Sequence, residues 1–173
     1  MTAGYSAKAV ANYLLATYGE HGITPLKIQK LVFLAHGWNY AFRDDPLIND
    51  EYAEAWSNGP VFQSLYAEFR YRGSLPIVDL ATELKLESPE SGNVVSYTPA
   101  ISGSDATIRH LLDEIWRIYG KFSGSQLSEM CHVPGSPWHI TRVKHPGLRN
   151  ANIPNDQIRD YYRNLYNEHR RNG

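Results

Sequence analysis

The chain has almost no cysteine. Its single thiol, Cys131, excludes an internal disulfide and fits a reducing compartment. Charge of one sign is missing too: 17 Lys+Arg stand against 18 Asp+Glu, a formal net charge of −1. A domain that grips nucleic acid or a membrane through its field shows a basic surplus, so both partner classes are set aside. No apolar run approaches the roughly 20 residues that a spanning helix needs. Lys8 and Asn12 interrupt the N-terminal region before a leader pattern can form. The expectation is a soluble, cytoplasmic protein. Catalytic signatures are absent as well, with no G-x-G-x-x-G, P-loop, G-x-S-x-G or H-E-x-x-H.

What is present is a core. The 173 residues suit one domain, long enough to bury its own interior. Twelve Tyr and four Trp stand out more than the charges do. Such rings serve as core material or as protein–protein contacts, and composition leaves both open.

The most informative stretch runs from Ile23 to Trp38. Thr24 can cap a helix and Pro25 fits its first position, where no N–H is needed. Leu31 to Ala35 is unbroken apolar sequence, so this helix, over 25–42, is apolar nearly all round. A helix of that kind sits inside a core, and the protein is expected to be built around it. A first helix is predicted over 7–18, capped by Ser6. A short strand follows over 51–56. Asn58-Gly59-Pro60 makes a turn that leads into a third helix over 61–69. The region 73–103, rich in Pro, Gly and Ser, reads as a small hairpin or irregular insertion. A fourth helix, over 105–119, carries the stripe Ile108, Leu111, Leu112, Ile115 and Tyr119. Ser123 and Gln126 have capping-box spacing for a fifth, ending near 132. A short helix over 138–143 and a terminal one starting near 154 complete the chain. The fold class is mainly α: five to six helices around the central one, with a minor β element, in one domain over 1–173.

Four constellations offer chemistry. Cys131-His132 is a weak nucleophile–base pair, because neighbours on a helix point about 100° apart. Cys131, His132, His139 and His145 lack the paired short spacing of a zinc site. No cofactor or metal is expected, and the protein is read as a non-enzyme. Gln29, His36, Tyr40 and Arg43 share a face of the central helix, either as satisfied polar groups or as the floor of a cleft. The run from Glu54 to Tyr66 makes a rigid strand-to-helix corner flanked by Trp56, Phe62 and Tyr66, with Asn58 and Gly59 at its bend. It is either a packing corner or a contact hot spot.

These residues also resemble a known family. The run Pro25-Leu26-Lys27-Ile28-Gln29-Lys30-Leu31, continuing to Ala35-His36-Gly37-Trp38, is similar to the opening motif of the Panacea antitoxin domain, the SocA-like group once described as phage-associated GepA-type proteins. Glu54-Ala55-Trp56 with Gly59-Pro60-Val61 resembles its second motif. Leu127-Ser128-Glu129-Met130 with His132, then Ser136-Pro137-Trp138, resembles its third. The motifs lie between about 6 and 143, with 144–173 packing on the same domain. The resemblance implies a binding protein: an antitoxin that neutralises a cognate protein toxin by direct contact. Delivery of the toxin to a cytoplasmic ATP-dependent protease is an alternative, and an enzyme using Cys131 and His132 a second. Family members are often fused to a helix-turn-helix module; this chain has no room for one, so a nucleic-acid partner is not expected. The expected contact residues are Trp56, Asn58, Gly59, Phe62 and Tyr66. Gln29, His36 and Tyr40 are expected to line an adjoining groove, and His132 and Trp138 come from the third motif.

Overall fold

The computed structural model describes residues 4–172, beginning with α1 (Ala7–Tyr18) and α2 (Pro25–Phe42), both over the predicted spans. The Ser6 hydroxyl accepts the Ala9 N–H at 3.1 Å, and the Thr24 hydroxyl accepts the Lys27 N–H at 3.3 Å. These bonds satisfy donors that a helix start otherwise leaves free.

Every residue of α2 from Lys27 to Tyr40 is buried except Trp38, as an all-round apolar helix requires. α1 packs against it. So do α3 (Gln63–Phe69), α4 (Ala106–Tyr119), α5 (Gly124–Cys131), α7 (Asn155–Asn172) and the strand β2 described below. Its aliphatic side chains each contribute about 1.5–3 kcal/mol by leaving water. Gly37 sets the closest of these contacts. A Cβ at that position would lie 2.2 Å from the Tyr162 ring, so only glycine lets α7 approach.

β1 (Glu54–Trp56) pairs antiparallel with β2 (Gly59–Val61), Ala55 standing opposite Pro60. This corrects the start of the third helix, expected at Val61 and found at Gln63. Proline suits both a helix start and a short edge strand, and pairing with β1 decides between them. The ladder continues on the other side of β1. The Ala55 N–H donates to the Ala151 carbonyl at 2.8 Å, and the Ile153 N–H to the Ala53 carbonyl at 2.7 Å. The segment leading into α7 is thereby fixed beside the corner.

The insertion holds a second antiparallel hairpin, β3 (Glu83–Leu86) with β4 (Val94–Tyr97). α5 starts with the predicted capping box between Ser123 and Gln126. α6 (Pro137–Lys144) is capped by the Ser136 hydroxyl. The described residues therefore hold seven α-helices and two small hairpins, a mainly α chain. Each of the seven spans read as helical from the sequence holds a helix, so the stated total of five or six was low. α6 has its own cap, and Pro146, Gly147 and Pro154 separate it from α7.

Candidate protein-binding site

The three sequence motifs, distant along the chain, meet at the β1–β2 corner. From α2, Lys30 reaches underneath it. Lys30 is fully buried, and its ammonium donates to the Pro60 carbonyl at 2.8 Å. Burial pushes this amine down to about 8. Its neighbour Gln29 clamps the next residue from both sides. The Gln29 amide donates to the Phe62 carbonyl at 3.0 Å, and its side-chain oxygen accepts the Phe62 N–H at 2.8 Å. Gly59 has φ +101°, a backbone state that side chains resist. A Cβ there would also come within 2.9 Å of Lys30 and 3.3 Å of His132.

From the third motif, the Ser128 hydroxyl donates to the Asn58 carbonyl. The Trp138 indole N–H donates to the Trp56 carbonyl at 2.7 Å. The His132 ring lies 4.0 Å from that of Trp138, and its Nε2 is buried with no hydrogen-bond partner. Burial, then the nearby Lys30 charge, holds this imidazole below its usual range. Every carbonyl from Trp56 to Phe62 named here is held by a side chain from elsewhere. The corner is rigid because its backbone is bonded from below.

Above that backbone lies a groove of about 600 Å³. Leu26 at the start of α2, Val61 and Leu65 supply its apolar surface; Trp56, Asn58 and Tyr66 stand along it. Trp56 is half-buried. Its ring packs 4.6 Å from that of Tyr66, and its indole N–H donates to the Glu54 carboxylate at 2.6 Å. Asn58 and Tyr66 are exposed. Arg70 and the first turn of α5 also line it.

Other expected contact residues lie inside. Phe62 has 0% exposure, so it anchors the corner from within and presents no surface. Gln29, His36 and Tyr40, expected along a groove, are buried at 5%, 1% and 4%. Gln29, though buried, is among the residues that line the corner groove, while its side chain bonds to Phe62. His36 Nδ1 accepts the Ile48 N–H at 3.2 Å, which leaves the proton on Nε2 facing the Asn155 side-chain oxygen at 3.2 Å. Burial outweighs that bond and pushes the imidazole down to about 4. Tyr40 packs its ring edge-on to His36. His36 and Tyr40 lie where neighbouring elements cover α2, so these polar groups meet protein and not water.

Lys30, Ser128 and Arg70 were not singled out from the sequence. Lys30 left a signal: like Lys27 before it, it is a cation within a helix that is otherwise apolar nearly all round. Ser128 left only its place in the third motif and Arg70 left nothing, since each acts through what the fold sets beside it.

A second groove, about 650 Å³, runs between α2 and α4. Its walls are nearly all apolar, with Trp38, Phe42, Leu111 and Ile118. Of the motif residues only Trp38 and its helix neighbours reach it, so it is the larger cavity but not the place where the motifs converge. Cys131 is buried and its thiol is pushed up to about 11. Among the described residues no three His, Cys, Asp or Glu side chains form a set that could hold a metal ion. No described helix is long and apolar enough to cross a membrane.

The chain is mainly helical, its three motifs meet at one aromatic-edged corner, and the sequence comparisons give the family. Residues 28–139 match the family described as antitoxin SocA-like, Panacea domain. Antitoxin SocA of Caulobacter vibrioides (strain NA1000 / CB15N) is 32% identical over 136 residues, covering 78% of this chain and 69% of that protein. The chain belongs to the SocA-like Panacea antitoxin family. No solved structure matches it.

Proposed function

We propose that this protein is an antitoxin that neutralises a protein toxin by direct contact in the cytoplasm, without catalysis, and that the corner groove is the contact surface. The observation that carries this reading is the convergence of three motifs on one corner: residues of the first two line the groove beside it, the third bonds to its backbone, and Trp56 and Tyr66 are in ring contact along the groove. A contact surface works best when it is already in its bound shape, because less conformational freedom is lost on association. The buried bonds from Lys30, Gln29, Ser128 and Trp138 supply that stiffness. Aromatic residues at the edge of an apolar groove are the usual anchors of a protein interface. The state of Cys131 favours the non-catalytic reading, since a buried, protonated thiol is the opposite of an activated nucleophile. We propose further that residues 1–173 act as one domain.

Co-expression with the product of the neighbouring reading frame tests the proposal. The wild type should restore growth. Trp56→Ala and Tyr66→Ala should lose rescue while the circular dichroism spectrum stays unchanged. Full rescue by both folded variants would move the contact surface elsewhere. Toxin abundance in the rescued cells separates a blocker, which leaves it intact, from an adaptor that hands the toxin to an ATP-dependent protease.

A further inference from the structure

The chemistry of the groove points to a particular kind of occupant. Arg70 is the sole charged residue lining it, and among the described residues its guanidinium has no ion-pair or hydrogen-bond partner. Among the described residues no carboxylate lines the space. Glu54, on β1, is engaged by the Trp56 indole N–H and does not line it. The remaining polar walls are uncharged, among them Ser74, Ser123 and Ser125. The first turns of α2 and α5 border the groove and add a field of the same sign as Arg70. The floor is aliphatic, with Leu26, Val61 and Leu65, and the aromatic edge is Trp56 with Tyr66. The chain as a whole is almost neutral, whereas the described lining of the groove carries one cation and no anion.

We propose that the groove takes an acidic segment of the partner protein. An aliphatic or aromatic side chain lies on the floor beside Trp56 and Tyr66, and a neighbouring carboxylate meets the Arg70 guanidinium. Arginine suits this role because its planar fork can hold a carboxylate through two parallel N–H donors. Arg70 is exposed at the groove, and among the described residues no carboxylate pairs with its guanidinium. The proposal rests on the antitoxin reading for the identity of the partner, but not for the chemistry of the groove.

Selection of random 12-residue peptides displayed on phage against the purified protein tests it without a toxin. The enriched peptides should carry Asp or Glu next to an aliphatic or aromatic residue. Trp56→Ala should lower their affinity whatever their charge. Arg70→Glu, with an unchanged circular dichroism spectrum, should weaken an acidic peptide on the order of tenfold and restore binding when the peptide's Glu is replaced by Lys. Arg70→Lys should keep the acidic preference, and raised salt should weaken binding, because the pair is open to solvent. Neutral or basic consensus peptides, peptides indifferent to both Arg70→Glu and Trp56→Ala, or no enrichment at all would overturn it. Growth rescue by Arg70→Glu at the wild-type level would overturn the groove chemistry and leave the antitoxin reading standing.

Discussion

The interior of α2 and the rim of the corner groove carry the same kinds of residue, amides and rings with polar edges, and use them in opposite ways. Gln29 and His36 spend their hydrogen-bonding groups on the protein's own backbone, at Phe62 and Ile48. Trp56, Asn58 and Tyr66 leave part of their surface to the solvent. A buried polar group must be paired within the protein, so its replacement disturbs the fold. A half-exposed ring loses little on truncation unless a partner covers it. The two regions are therefore separable by experiment: interior changes should act on stability, rim changes on binding.

The largest effect is expected from Phe62→Ala. Removing a fully buried ring at the corner should cost about 3–5 kcal/mol, read as a lowered midpoint in urea unfolding. A change below about 1 kcal/mol would mean that the corner is not packed as described.

Acid comes next. His36 has a folded-state value of about 4 against an ordinary 6.5. The unfolded chain takes up the proton first, so the contribution is intact above pH 6.5 and is lost as pH falls towards 4. That loss amounts to about 3 kcal/mol. Unfolding measured across this window should show the decline, and His36→Gln should flatten it. A decline of equal size in the variant would assign it to other groups.

Gly37→Ala should cost about 1–3 kcal/mol, because the added methyl meets the buried Tyr162 ring and forces α7 outward. Denaturant unfolding of the variant checks this; a neutral result would show that α7 is loosely seated.

Tyr66→Ala closes the series with the smallest effect on stability, below about 1 kcal/mol, since the residue is exposed. Its loss of toxin rescue would then isolate binding from folding. A stability loss comparable to that of Phe62→Ala would erase the difference between rim and interior.

Much of the fold was legible along the chain. The Ser6, Thr24 and Ser123 caps and the apolar run of α2 are local signals, and each helix they predict begins where the sequence says. The start of α3 was misread because Pro60 obeys two local rules at once, and only the pairing of β2 with β1 selects one. The contact residues divide the same way. Trp56 and Tyr66 could be named as an aromatic pair from the corner motif. Phe62 could not be told from them, because exposure depends on what packs above a residue and not on its type.

Residue order and type alone determined the helical class, the near-zero net charge, the lack of an internal disulfide and the burial of most of α2. These follow from short-range capping and from the drive of apolar side chains out of water. Which polar groups were spent internally and which remained on a groove was decided by tertiary structure. Lys30, Gly59 and Ser128 lie far apart in the chain, and only packing brings an ammonium, an open backbone and a hydroxyl to the same corner.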